Sequence, residues 1–251
     1  MTQGKKFFLI LPFIVVFSTC GIEDYPFIYP IPQSNVSPSM NDYATVRVPT
    51  NNSDAPFSHF AVFYKIYVSD QLVSSTATTD TFNVINPLLA SDYSSVLPYI
   101  DSDTLVNTDM DQFFRNRGFK YLQFQNADID NVLSGVLGKT IVFDFSSSNV
   151  NPSMRIGASS PYEGEYILLR SNGFGEYDPL PADRFFISRT DLYRVDYINS
   201  NTNADVVNKS SMPNPDRYTY AAFFIAAVGI DNASFIYSTP SLIHVFKLPD
   251  Q

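Results

Sequence analysis

The strongest constraint on how this chain can fold is a set of alternating apolar segments that stand at opposite ends of its 251 residues. Early come "YATVRVP" (43–49) and "FAVFYKIYV" (60–68), and late come "YAAFFIAAVGID" (220–231) and "SLIHVFKL" (241–248). In "FAVFYKIYV" a period of two places Phe60, Val62, Tyr64, Ile66 and Val68 on one face and Ala61, Phe63, Lys65 and Tyr67 on the other. A strand with such an apolar face must bury it against a second layer, so the pattern predicts a β-sandwich whose outer side is partly aromatic. The 22 Phe, 16 Tyr and 17 Pro favour the same class, because aromatic side chains suit a pleated surface and proline punctuates it.

The N-terminus carries a different message. Met1 to Lys6 holds two lysines and no acid, the uncharged run "FFLILPFIVVF" (Phe7 to Phe17) follows, and Ser18 and Thr19 lead into Cys20. A positive start, an apolar run too short to span a bilayer and small residues beside a cleavage point predict an export signal over residues 1–19. The segment resembles a bacterial lipoprotein signal, in which the residue after the cut is a cysteine whose sulfur receives diacylglycerol. That resemblance implies lipid attachment at Cys20, the only cysteine in the chain. The box holds Phe17 and Thr19 where Leu, Val or Ile and Gly or Ala are usual, a looser form that resembles spirochaetal lipoproteins. A single exported cysteine has no disulfide partner within its own chain, and a diacylated one holds a membrane more firmly than a single acyl chain does. Residues 20–31 then read as the lipidated cysteine and a short proline-bearing tether, which places the protein in the bacterial cell envelope, close to its membrane.

The same end segments resemble a fibronectin type III domain cut open. "IYPIPQSNV", "YATVRVPTN" and "HFAVFYKIYV" follow the order of its opening, B and C strands. "RYTYAAFFIAAVGIDNASFIYSTPSL" follows its F strand, a "DNAS" turn and a Ser-x-Pro exit into a last strand. The resemblance implies a mainly β, immunoglobulin/fibronectin III-like sandwich from residues 32–75 plus 216–249, with Tyr218 or Tyr220 as its corner tyrosine. It departs from that family in having no tryptophan and in holding residues 76–215 between the C and F strands.

Those 140 or so residues read as an α+β insertion. "TDMDQFFRNRG" predicts a short helix with Thr108 as N-cap and Gly118 as its stop. "DIDNVLSGVLG" predicts a second, with Ile129, Val132, Leu133, Val136 and Leu137 at helical spacing and Gly138 as C-cap. Strands are expected in "FKYLQF", "KTIVFDF", "EYILLRSNGFGEYDPL", "RFFISR" and "LYRVDYI", joined by Gly, Asn and Pro turns, and a polar loop or linker over residues 199–216.

Chemistry is sparse. His59 and His244 stand in or beside apolar strands, where a satisfied core histidine is commoner than a base or a ligand. "LSGVLGKT" (133–140) ends like a phosphate-binding loop but has Leu133 where the first glycine belongs. Asp101, Asp103, Asp109, Asp111, Asp128 and Asp130 lack the glycine and terminal acid of a calcium loop and read as loop and helix-start acids. Asn-x-Ser/Thr sites at Asn35, Asn208 and Asn232 carry little meaning in a bacterial lipoprotein. The formal charge of −9 becomes −11 once Lys5 and Lys6 leave with the signal, which disfavours nucleic acid as a partner. No cofactor, metal or catalytic residue is expected. The leading expectation is therefore a lipid-anchored envelope protein that binds a host molecule, a glycan or another envelope protein. The alternative is an exported hydrolase or carbohydrate-active enzyme with an acid pair among Asp109, Asp111, Asp128, Asp130, Glu163 and Glu165, which requires two carboxylates facing each other across a cleft.

Overall fold

The computed structural model describes residues 27–39, 42–53, 56–76, 78–100, 109–146, 151–157, 163–171, 185–186, 205–207 and 218–249. The signal segment, Cys20, Thr108, Asp101, Asp103, Asn208 and the segment 192–198 lie outside them.

The chain is mainly β and sandwich-like, with two largely antiparallel sheets. The first takes the order β1 (Val36–Ser39), β2 (Tyr43–Arg47), β6 (Thr140–Asp144), β7 (Ser153–Ile156), β8 (Gly164–Leu169) and β5 (Gln123–Phe124). The second is built on the two long strands β3 (Phe57–Ser69) and β10 (Tyr218–Asp231), which pair antiparallel over almost their whole length. β10 turns through Asn232 and Ala233, both left-handed at φ 47° and 67°, into β11 (Ser234–Tyr237), a two-residue hairpin at the expected "DNAS" turn. The chain then bends at Ser238 and runs on along the same edge of β10 as β12 (Ser241–Lys247). β4 (Lys120–Tyr121) and the parallel pair β9 (Val206–Val207) share the other edge of β3. The first sheet draws β6, β7 and β8 from the middle of the chain, setting β6 beside β2 and adding β7 and β8 in turn.

Between the sheets the aromatic content is concentrated. Phe145 stacks on Phe246 at 4.2 Å, and Phe223 packs edge-on against Phe246 and Phe145 and near Tyr64 and Phe186. Such pairs add about 0.5–1.5 kcal/mol each beyond their buried area.

The side of β3 expected to be outer is also covered. α1 (Phe82–Ile85), α2 (Pro87–Val96), α3 (Met110–Asn116) and α4 (Ile129–Ser134) supply a third layer. Phe63 stacks on Phe114 of α3 at 4.4 Å, and Phe119 and Phe224 close around it. Lys65 reaches the carboxylate of Asp92 and the carbonyl of Arg117, both at 2.6 Å, while the Tyr67 hydroxyl donates to the same Asp92 oxygen at 2.7 Å. Burial on both faces explains the unbroken run "YAAFFIAAV": a strand with no wet side does not need polar alternation.

Two helix boundaries correct the expectation. α3 is capped by Asp109, whose side chain accepts from the Gln112 amide at 3.1 Å. α4 ends at Ser134 with Gly135 as its cap, so Val136, Leu137 and Gly138 lie beyond it. Gly138 serves instead in the turn into β6: its φ is 72°, and an added Cβ would stand 2.9 Å from Thr50 Cγ2.

Candidate functional site

The turn from β5 into α4 is tight, with Asn126 left-handed at φ 60° and Phe124 bridged to Ala127. Asp128 then caps α4: its Oδ1 accepts from the Asp130 amide and its Oδ2 from Asn131 Nδ2, each at 3.0 Å. The short helix turns Asp130 back toward β3 and β4. There its Oδ1 accepts from the Tyr121 hydroxyl at 3.0 Å and lies 3.5 Å from His59 Nε2.

Together Tyr121, Gln123, Asn126, Ala127, Asp128, Ile129 and Asp130 line a cleft of about 530 Å³. That size suits a small polar ligand. Gln123 is only 8% exposed, and among the described residues its side-chain amide makes no hydrogen bond to the protein. Because Gln123 lines the cleft, its amide can donate to and accept from a polar group that enters there.

Electrostatics concentrate at the same place. Tyr121 is held well above the usual phenol range, first by burial and then by the charge of Asp130, so it stays a hydrogen-bond donor. Tyr237 on β11 is raised chiefly by burial and further by Asp111 and Asp109 at the start of α3, with Asp130 adding to them. His59 is lowered from its usual value because burial outweighs the attraction of Asp130 and Asp128. The N-terminal acids of α3 and α4 thus share one neighbourhood around Tyr237. This acidic, hydroxyl-bearing surface favours donors and cationic groups and disfavours anions.

No family model, no curated protein and no solved structure matches this chain.

The six acids proposed from sequence divide into two places. Asp109, Asp111, Asp128 and Asp130 gather here, but each is engaged: Asp109 and Asp128 as caps, Asp111 with Arg115 at 2.7 Å, and Asp130 with Tyr121. Glu165 lies on β8 in the other sheet and accepts from Ser153 Oγ at 2.6 Å, and Glu163 immediately precedes that strand. Among the described residues no group of three or more His, Cys, Asp or Glu is placed to hold a metal ion. His244 is buried in β12, with its Nε2 3.1 Å from Thr76 Oγ1. Sequence reasoning missed Gln123 and Asn126; the one local signal was "NAD" (126–128), a turn residue two positions before a helix cap.

Proposed function

We propose that the chain is a bacterial lipoprotein of the cell envelope: residues 1–19 are its signal, Cys20 carries diacylglycerol, and the mature domain is a non-enzymatic binding module for a saccharide. The anchor reading is supported by the lysine, apolar, small-residue and cysteine order of the first twenty residues. The binding reading is carried by one observation, the Gln123 side chain, which lines the Tyr121–Asp130 cleft with no hydrogen bond to the described residues. Sugar hydroxyls donate to carboxylates and both donate to and accept from an amide, and a neutral or amino sugar meets no repulsion from Asp128 and Asp130. Anionic ligands do.

A fibronectin III-like relationship is part of the same reading. It is supported by β2 lying between β1 and β6, as B lies between A and E, and by β10 lying between β3 and β11–β12, as F lies between C and G. The Tyr220 hydroxyl accepts from the Val73 amide and donates to the Gln71 carbonyl, so it fastens the segment after β3.

The test is a binding survey of neutral and amino-sugar oligosaccharides with the wild-type domain and Gln123→Leu. The expected result is a bound class whose affinity falls about tenfold in the variant, the scale of one lost buried hydrogen bond, while the melting temperature holds. Equal binding by the variant, or none by the wild type, refutes the saccharide reading.

A further inference from the structure

We infer that one pole of the domain, formed by Phe27, Tyr29 and the tip of the β10–β11 hairpin, seats in the surface of a phospholipid bilayer. The inference rests on the lipid anchor at Cys20 proposed above and adds an orientation to it.

The pole is built firmly. Ile28 is buried against Gly229, where an added Cβ would come within 2.5 Å of Ile28 Cδ1 and 2.6 Å of the Pro56 carbonyl oxygen. The Asn52 side chain accepts from the Tyr29 amide and donates to the Tyr29 carbonyl, each at 2.9 Å, and the Ile230 amide donates to Pro56. These bonds hold the entering chain against the hairpin. The side chains flanking them point to solvent: Phe27 and Tyr29 meet edge-on at 4.7 Å, and Ile230 stands directly across from Phe235, which is 63% exposed. Exposed Phe, Tyr and Ile clustered at one end have the composition of an interfacial membrane contact.

Chain length selects the occupant. Six residues lie between Cys20 and Phe27, and the seven steps that join them reach at most about 25 Å when fully extended. The 13 residues of β3 span about 40 Å from Phe57, paired with Gly229 at this pole, to Ser69 at the other end. Other exposed apolar side chains, Leu72 and Val84, follow that far end. Turning the far end toward the bilayer would lift Phe27 farther than its tether allows, whereas the Phe27 pole is within reach of the lipid that holds Cys20. Glu23 and Asp24 in the tether and Asp231 beside Ile230 make zwitterionic lipid the favoured surface over anionic lipid.

The chain has no tryptophan, so a single one reports its own position. Phe235→Trp and Leu72→Trp are made as the lipidated full protein and placed in phosphatidylcholine vesicles with and without brominated acyl chains. Phe235→Trp is expected to shift to the blue and to be quenched roughly twofold or more by bromine, as for a ring at the headgroup boundary, while Leu72→Trp is not. Replacing part of the lipid with phosphatidylglycerol is expected to weaken the quenching. If protein with a diacyl mass on Cys20 rides on the vesicles and Phe235→Trp is unquenched, the orientation is wrong and the anchor stands. A missing acyl mass with no vesicle association overturns the anchor and the orientation with it.

Discussion

At the scale of single residues, one buried ion pair crosses from the first sheet to the second. Arg170 and Asp205, both buried, form a two-pronged pair at 2.8 and 2.6 Å, and the Tyr64 hydroxyl donates to the same carboxylate at 3.1 Å while accepting from the Ser171 amide. This ties the end of β8, the start of β9 and the middle of β3 together. Removing one partner leaves a buried charge, so Asp205→Ala is expected to cost about 3–5 kcal/mol in denaturant unfolding, and Arg170→Met with Asp205→Leu to cost less than that single change. A loss under about 1 kcal/mol for Asp205→Ala would show that the pair contributes little. His59 gives a pH signature. Its folded pKa lies below the usual 6.5, so the unfolded chain takes up the proton first. The stability this contributes is complete above pH 6.5 and is lost as pH falls from there through the folded value. Melts at pH 7.5 and 5.5 should therefore show a larger acid loss in the wild type than in His59→Gln; equal slopes contradict the assignment.

At the scale of elements, the third layer hangs on Phe114, which stacks on Phe63 and meets Phe119, Phe224 and Phe113 edge-on or tilted. Phe114→Ala is expected to cost about 3–5 kcal/mol and to raise binding of a hydrophobic dye, because α3 then loses its hold on β3. A near-neutral change would mean that Lys65, Asp92 and Tyr67 suffice to hold the helices. This layer was also the least legible part of the sequence. The alternation of Phe60 to Val68 located β3 and one of its faces, and the run Tyr220 to Ile230 located β10, but period two says nothing about what covers the second face. The cover comes from helices of 4 to 10 residues whose patterns are too short to stand out, and α1 and α2 were not foreseen although Asn86 and Pro87 form a regular cap and first turn. The cleft was half legible for a related reason. Asp128 and Asp130 drew attention as acids, whereas Gln123 acquires its meaning only from burial in a two-residue strand beside β8.

At the scale of the whole molecule, the first described segment is fixed to the last strand: Ile31 and Gln33 bond to Ser241 and Leu242. Among the described residues no helix is long and apolar enough to cross a membrane. The most direct measurement is metabolic labelling with a fatty-acid analogue in a bacterium that processes lipoproteins, comparing the wild type with Cys20→Ala. A lipoprotein gives a labelled, shortened wild-type protein and an unlabelled variant that keeps residues 1–19; label that survives Cys20→Ala, or a wild type that never takes label, refutes lipid attachment at Cys20.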